Sequence, residues 1–382
     1  MSEPIYLDYN ASTPHAEEVI EAMRPFVELE FGNPSSAHFY GREPRLAVNK
    51  ARRRVARLLN CLPEEVIFTS GGTESNNHAI KGAAMANRDR GNHIIISAVE
   101  HPAVSEVCRA LEPWGFSTTK VAVDHFGMVD VAKVEKAIRP ETTLISIMHS
   151  NNEVGTLQPI EDLSRLARER GILMHTDAAQ SVGKLAVDVR GMEVDLLSIA
   201  GHKLYAPKGI GALYLRKGVQ IEKFCHGAGQ EMGQRAGTEN VIQIVGLGKA
   251  CEIAADGMEE NIAYLQAMRD RLHRGLLAEF SAGVRLNGHP DKRLPNTLSL
   301  SFKGLAADQI LAGVGDRVAA SAGAACHATG VSISHVLRAM KVEEEWAKGT
   351  IRFSVGKMTT TKQIDQALGV LVPVIRDLLQ GR

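Results

Sequence analysis

The sequence predicts an α/β fold with a mainly parallel sheet in a large domain and a smaller α+β domain. In the first part of the chain, short segments that are apolar throughout alternate with amphipathic helical segments. Strands lose the alternation of polar and apolar residues when helices cover both faces of a parallel sheet. After Arg235 the pattern changes to a long helical stretch followed by strands and a final helix. A chain of 382 residues is long enough for two such domains.

The elements follow from the same periodicity. In the first part we expect strands at residues 66–69, 93–98, 144–149, 172–176, 194–200 and 213–215, and helices from residue 74 and at 131–138 and 162–170. In the second part we expect one helix over 241–280, strands at 296–302 and 350–355, and a helix over 361–379. The predicted large domain covers residues 15–255, and the small domain covers residues 1–14 and 256–382.

Composition excludes several classes of protein. Lysine plus arginine equals aspartate plus glutamate, at 44 each, so no basic surplus indicates nucleic acid or an anionic membrane as a partner. The N-terminus lacks the apolar core of a signal peptide, and no run of 18 apolar residues exists. The five scattered cysteines form no CxxC pair and indicate reduced thiols in a cytoplasmic protein. We expect no metal site.

The first candidate site residue is Lys203, which follows His202 at the end of the apolar segment VDLLSIA. Burial disfavours an ammonium ion and lowers the pKa of the lysine, and a neutral amine can attack a carbonyl. Such a lysine can hold an aldehyde cofactor as a Schiff base. On these residues alone, an ordinary lysine in a strand-to-loop turn is the simpler interpretation.

Two further motifs follow predicted strands. The segment SGGTESN opens a helix, and the backbone at Gly72, the hydroxyl of Thr73 and the helix N-terminus are suited to bind a phosphate. A plain capped helix start is the alternative. His101 follows the next strand, where an imidazole can stack on a ring or move protons. A structural histidine is again the simpler interpretation of that residue alone.

The remaining strand ends supply partners for a ring. Asp177, in the segment HTDAAQ, is suited to hold a pyridine nitrogen in its protonated form, while Gln180 and Asn152 carry amides for the edge of the ring. Each residue alone is explained by capping or a polar turn. One cofactor, pyridoxal 5'-phosphate (PLP), requires all of these groups: a lysine, an aspartate, a phosphate site and a histidine. Because ligands bind at the carboxyl ends of parallel strands, we expect these groups to lie around one site.

Three residues in the second part complete the set. Arg352 is a forked donor for a substrate carboxylate, with a surface ion pair as the alternative. Cys326, in the segment AASAGAACH before a predicted mobile loop, is a candidate nucleophile, with a buried structural cysteine as the alternative. Thr238 lies in the polar turn RAGTEN, which is suited to bind a phosphate, including that of a neighbouring subunit.

Together the motifs resemble the cysteine desulfurases of the nitrogenase and iron–sulfur cluster type, nearly end to end. The resemblance rests on LDYNAST, FGNPSS, FTSGGTESNN, SAVEHPAV, NNEVG, HTDAAQSVGK, GHKLYAPKGIGALY, RAGTEN, LPNTLS and IRFSVG. It implies a fold-type-I PLP enzyme with a seven-stranded type of sheet. It also implies a homodimer that converts L-cysteine to L-alanine and passes the sulfur to an acceptor protein such as an iron–sulfur scaffold.

The resemblance also implies a role for each candidate residue. Lys203 is the Schiff-base lysine, His101 stacks on the ring, and Cys326 takes the sulfur as a persulfide. Arg352 binds the substrate carboxylate, Asn152 contacts the substrate as well as the cofactor, and Thr238 reaches the phosphate of the other subunit. The remaining cofactor-binding residues are Gly72, Thr73, Asn152, Asp177, Gln180 and His202.

Two departures from the family pattern leave the substrate open. Ala200 stands where these desulfurases usually have a serine that contacts phosphate, and the segment around Cys326 is GAACH. Both features resemble the selenocysteine lyases, which act on L-selenocysteine, so that activity is the alternative. An aminotransferase would need no Cys326. A scaffold without cofactor would need neither Lys203 nor Asp177.

Overall fold

The structure is a computed structural model that describes residues 3–327 and 330–381, except for the side chains of residues 324–332. Its α-helices, in chain order, are α1 (Glu17–Glu28), α2 (Phe39–Leu59), α3 (Gly72–Ala86), α4 (Pro102–Leu111), α5 (Val131–Ala137), α6 (Ile160–Glu169), α7 (Val241–Asp256), α8 (Met258–Phe280), α9 (Ala307–Val314), α10 (His335–Ala339), α11 (Glu344–Ala347) and α12 (Thr361–Leu379).

The strands of the described residues form several sheets. In chain order they are β1 (Ile5–Tyr6), β2 (Val66–Thr69), β3 (His93–Ser97), β4 (Ser117–Val121), β5 (Thr142–Ser146), β6 (Leu173–Asp177), β7 (Leu196–Ala200), β8 (Gly211–Leu215), β9 (Val284–Asn287), β10 (Thr297–Phe302), β11 (Val318–Ala319), β12 (Ser321–Ala322), β13 (Ala324–His327), β14 (Gly330–Ile333) and β15 (Thr350–Ser354).

The large sheet has seven strands in the order β2-β8-β7-β6-β5-β3-β4. Its strands pair in parallel except at β8, which is antiparallel to both β2 and β7. The helices α3 and α4 cover one face and bury Ile80 and Val104, while α2, α6 and α7 lie on the other side with Val55, Leu163 and Leu247 in a second cluster. Burial on both faces explains why these strands are apolar throughout.

The predicted strands of the large sheet occur close to their predicted positions. The strand β4 was not predicted, because its residues STTKV are mostly polar and most of them are only partly buried. The predicted single helix over 241–280 is wrong, because α7 ends at Asp256 and α8 begins at Met258. Gly257 caps both helices in a non-helical conformation, and glycine is the residue that most readily interrupts a helix.

The second part of the chain surrounds an antiparallel sheet in the order β12-β15-β10-β9. The helices α8 and α12 pack on it and share a separate apolar cluster with the N-terminal residues Ile5 and Leu7. The strand β1 pairs in parallel with β11, so the N-terminal segment lies with the second part of the chain. This separate apolar cluster is what two domains would show, and the domain division stays a prediction.

The segment expected as a loop after Cys326 begins as a hairpin. The backbone of β13 pairs antiparallel with that of β14, with Cys326 opposite Val331. Residues 328 and 329, and the Cys326 side chain, lie outside the described part of the structure.

The carboxyl ends of the parallel strands position the site. The strands β2, β3, β5, β6 and β7 all end at one edge of the large sheet, and the segments that carry Thr73, His101, Asn152, Asp177 and Lys203 follow these ends in turn. This edge is where parallel sheets bind their ligands. In the described part of the chain, no helix has the length and apolar character needed to cross a membrane.

Candidate active site

A cavity of about 340 Å³ opens at this edge of the sheet. It brings together most of the residues that the sequence singled out: Gly72, Thr73, His101, Asn152, Asp177, Gln180, His202, Lys203 and Arg352. Their separation in the chain reaches from residue 72 to residue 352, so the fold and not local sequence assembles the set. Cavities that receive small ligands are concave and carry a few convergent polar groups in this way.

Lys203 lies at the end of a short 3₁₀ turn that directly follows β7. Its Nζ donates hydrogen bonds to the backbone oxygens of Asn10 and Ala11, the second at 2.8 Å. Burial, and then the positive charge of Arg352, lower the pKa of Lys203 to about 8. A far larger fraction of this amine is therefore neutral near pH 7 than in an exposed lysine, which suits attack on an aldehyde.

The turn between β2 and α3 has the geometry of an anion site. The N-cap residue Gly71 has φ of 150°, which favours glycine, and no side chain caps the first N–H groups of α3. A Cβ at Gly72 would lie only 3.1 Å from the Cβ of Ala200, so a larger residue would close the space. The exposed Thr73 adds a hydroxyl beside these N–H groups. The site fits a phosphate.

A carboxylate in the first turn of α3 is neutralised. Glu74 forms an ion pair with Arg235 at 2.9 Å and accepts hydrogen bonds from Ser70. Without Arg235, the negative charge of Glu74 would repel a phosphate at the same helix end. Arg235 comes from the loop that carries Thr238, and the sequence analysis assigned it no role.

Asp177 is the last residue of β6 and is 7% exposed. Its Oδ2 accepts a hydrogen bond from Asn76 Nδ2 at 2.7 Å, and its Oδ1 accepts one from the backbone N–H of Ala179 at 2.9 Å. These two donors fix the orientation of the carboxyl group, as is needed to meet a ring nitrogen. Asn76 was not identified as a site residue, although it lies one helical turn after Gly72.

His101 combines both interpretations given above. Its Nδ1 accepts a hydrogen bond from the backbone N–H of Ala103 at 3.0 Å and so caps α4. An accepting Nδ1 carries no proton, which places the proton of the neutral ring on Nε2. Burial lowers the pKa of His101, so the neutral ring is favoured for stacking and for proton transfer. Burial also lowers the pKa of His202, to about 4.

Asn10, which sequence analysis left without a role, is the common partner of several site residues. Its backbone oxygen accepts hydrogen bonds from Lys203 and from Gln180 Nε2, the latter at 3.0 Å. Its Nδ2 donates to the backbone oxygen of Asn152 at 3.2 Å. The motif LDYNAST carried Asn10 into the resemblance, but only the fold shows that this N-terminal segment lies against the cavity.

Arg352 lies on β15 and reaches the cavity from the second sheet. Its Nη2 donates to Asp8 Oδ1 at 2.7 Å and to Ser321 Oγ at 2.9 Å, and its Nη1 donates to the backbone oxygen of Asn152 at 3.1 Å. Its Nε is buried without a hydrogen-bond partner. The Nε–H can therefore donate to a carboxylate, and this hydrogen bond would remove the cost of a buried donor without a partner.

Two predicted residues are not among those that line the cavity. Thr238 is exposed on the loop before α7, as a residue that serves another subunit would be. The backbone of Cys326 is on β13, and its side chain lies outside the described residues, so its position relative to the cavity stays a prediction. No group of His, Cys, Asp and Glu in the described part of the chain is arranged to hold a metal ion.

The donor set fits PLP. The uncapped helix end at Gly72 and Thr73 suits its phosphate, Asp177 suits its ring nitrogen, and the neutral amine of Lys203 suits its aldehyde. These three groups lie around one cavity, as a single molecule with three such functions requires.

Comparison with known proteins supports this assignment. The family model of the class-V aminotransferases matches residues 5–367. The cysteine desulfurase IscS of Dictyoglomus turgidum is 48% identical over 379 residues, which cover 99% of this chain and 96% of the relative. A solved NifS-like protein superposes with a TM-score of 0.91 at 38% identity and covers 98% of this chain and 99% of its own. A structure of SspA in complex with cysteine gives a TM-score of 0.81 at 39% identity, covering 93% of this chain and 100% of that one.

The fold and the cavity thus define a PLP-dependent enzyme of fold type I. Within this class, the chain belongs to the cysteine desulfurase branch of the class-V aminotransferase family. The comparisons give the alternative activity, selenocysteine lyase, no stronger support.

Proposed function

We propose that the cavity binds L-cysteine next to PLP, converts it to L-alanine and transfers its sulfur to Cys326. The observation that carries this proposal is the convergence of Lys203, Asp177 and His101 on one cavity with Arg352. The resemblance of the whole chain to cysteine desulfurases supports the substrate.

The cofactor is held by groups that this chain supplies. Lys203 binds the aldehyde, the α3 end with Gly72, Thr73 and His202 binds the phosphate, and Asp177 pairs with the ring nitrogen. Bound in this way, PLP acts as an electron sink that makes the bonds around the substrate Cα easier to break. His101 would stack on the ring and Gln180 and Asn152 would contact it, and His101 Nε2 is available to carry a proton.

Substrate orientation comes from Arg352. Its Nε has no hydrogen-bond partner and can donate to a carboxylate. Its Nη atoms are already held by Asp8, Ser321 and Asn152. A guanidinium held on its other side loses little freedom when it binds a carboxylate, which strengthens the contact.

The sulfur leaves by attack of the Cys326 thiolate on the substrate sulfur. A sulfur–sulfur bond forms and the carbon–sulfur bond breaks, with its electron pair left on the carbon. The carbon takes up a proton and becomes the methyl group of alanine, while Cys326 becomes a persulfide. The carbon is reduced as the sulfur is oxidised, so no external oxidant is required. A thiol or an iron–sulfur scaffold protein then accepts the sulfur.

The proposal includes a homodimer in the cytoplasm. Large apolar side chains are exposed next to one another around the start of α2: Phe31 is 78% and Phe39 is 74% exposed, and their rings contact Tyr40. A second copy of the chain would cover them and bring its Thr238 to the phosphate. Free thiols at Cys61, Cys108, Cys225 and Cys251 suit a reducing compartment.

Mass spectrometry of the enzyme after one turnover tests the sulfur transfer. We expect the peptide that contains Cys326 to gain the mass of one sulfur atom when L-cysteine is added, and the gain to vanish in Cys326→Ser. Cys225→Ser, which removes a half-buried thiol elsewhere, is the matched control and should keep the gain. A mass gain at Cys225 and none at Cys326 would show that Cys326 does not accept the sulfur and would contradict the proposal.

A further inference from the structure

Lys184 is a buried lysine beside the cavity that the proposed reaction does not use. It is 4% exposed, and it forms no ion pair with a carboxylate in the described part of the chain. Its Nζ donates instead to two amide oxygens, Gln180 Oε1 at 2.8 Å and Asn10 Oδ1 at 3.4 Å. Burial, and then the charges of Lys203 and Arg352, hold the pKa of Lys184 well below its usual range. A polar group is costly to bury unless it forms such hydrogen bonds.

Contacts with Asn10 and Lys184 together fix the orientation of the Gln180 amide. A backbone oxygen can only accept a hydrogen bond, so the contact of 3.0 Å with Asn10 O places the Gln180 nitrogen on that side. The Gln180 oxygen then faces Lys184, which donates to it. The amide nitrogen has a second proton, and Gln180 lines the cavity, so the residue presents a donor to an acceptor bound there.

We propose that Lys184 is a positioning residue that holds the Gln180 amide with its nitrogen toward the cofactor, where it donates a hydrogen bond to the ring oxygen of PLP. The inference rests on the proposed contact between Gln180 and the ring. Without Lys184, the amide oxygen of Gln180 would be buried without a donor. Only the contact with the Asn10 backbone oxygen would then hold the amide, and in the fraction of molecules in which it rotates, its oxygen, an acceptor, would face the ring oxygen, which is also an acceptor.

The test measures cofactor release from the holoenzyme in Lys184→Met, Gln180→Leu and the double variant. Methionine keeps the length of the side chain and removes only its donor. Loss of one hydrogen bond should speed PLP dissociation about fivefold in each single variant and shift the visible absorption maximum. The double variant should release PLP no faster than Gln180→Leu, because Lys184 acts through Gln180. Lys208→Met, at an exposed lysine nearby, is the control and should match the wild type.

The outcomes separate this inference from the function on which it rests. If Gln180→Leu speeds release while Lys184→Met does not, or if the two effects add in the double variant, Lys184 does not act through Gln180 and the inference is wrong. If Gln180→Leu itself leaves release and absorption unchanged, the proposed ring contact fails as well. Should Lys184→Met fold poorly by circular dichroism, Lys184→Leu, which also removes the donor, replaces it and is judged by the same coupling.

Discussion

The protonation of single residues in this cavity depends on burial and on the charges of their neighbours. Lys203 is the clearest case, since burial and the nearby Arg352 both disfavour its protonated form. An ordinary lysine has a pKa near 10.4 and is almost entirely protonated at neutral pH. A pKa of about 8 leaves roughly a tenth of the Lys203 amine neutral at pH 7.

This difference predicts the pH dependence of cofactor binding. Because only the neutral amine attacks the aldehyde, the rate at which apoenzyme takes up PLP should rise with pH up to a midpoint near 8 and level off above it. Stopped-flow absorbance at a series of pH values measures this rate. A rate that continues to rise to pH 10 would show that Lys203 has the pKa of an exposed lysine.

Substitution of Ala200 by serine should strengthen the binding of PLP. Ala200 is 4% exposed and lines the cavity beside Gly72, at the phosphate end of the proposed site. Ala200→Ser should add one hydrogen bond to the phosphate and slow PLP dissociation about fivefold, which corresponds to ~1 kcal/mol. Ala179→Ser, at another alanine of the same cavity, is the control. Faster release from Ala200→Ser would show that the added hydroxyl does not face the phosphate.

At the scale of elements, ion pairs attach the loop before α7 to the helices α2 and α3, and a hydrogen bond attaches it to the large sheet. Glu231 is 3% exposed at its side chain and forms two contacts of 2.7 Å with Arg52 on α2. The same carboxylate accepts a hydrogen bond of 2.7 Å from the backbone N–H of Phe68 on β2. Together with the pair of Glu74 and Arg235, these contacts hold the segment that presents Thr238.

Removal of Glu231 should therefore destabilise the protein. Glu231→Ala leaves the charge of Arg52 and the N–H of Phe68 buried without their acceptor, which should lower the free energy of unfolding by about 3–5 kcal/mol. Urea unfolding measures the change. Glu21→Ala breaks an exposed pair with Arg24 and should have little effect. Equal effects of the two substitutions would mean that Glu231 does not stabilise the loop.

How much of the fold and site the sequence predicts depends on the distance over which each feature is encoded. The strands ending at Thr69, Ser97 and Asp177 were predictable because burial on both faces makes them apolar and a polar motif follows each one. The break at Gly257 was missed because the apolar pattern continues across it. Contacts such as that of Lys184 with Asn10, 174 residues apart in the chain, arise only from tertiary folding, so no local pattern indicates them.

At the scale of the whole molecule, two sheets cooperate at one cavity. Lys203 follows a strand of the large sheet and Arg352 lies on a strand of the small one, and the N-terminal segment with Asp8 and Asn10 lies between them. The residues proposed to hold the cofactor and the substrate carboxylate thus come from different sheets. The proposed second subunit adds Thr238 as a third contribution.

Mixed dimers test that contribution. In a dimer of one Lys203→Ala subunit and one Thr238→Ala subunit, the intact Lys203 should be served by the intact Thr238 of the other subunit. Half of the sites should then release PLP at the wild-type rate, whereas the Thr238→Ala homodimer should release it about fivefold faster from every site. If all PLP in the mixed dimer leaves at the faster rate, Thr238 serves its own subunit.

The central claim is that Cys326 receives sulfur from L-cysteine at a site built on Lys203. Its most direct test is the rate of alanine release from L-cysteine and from L-selenocysteine by the wild type, by Lys203→Ala and by Cys326→Ala. The account predicts that the wild type releases alanine from L-cysteine and that each variant abolishes this release. Full release from L-cysteine by Cys326→Ala, or release by the wild type from L-selenocysteine alone, would contradict it.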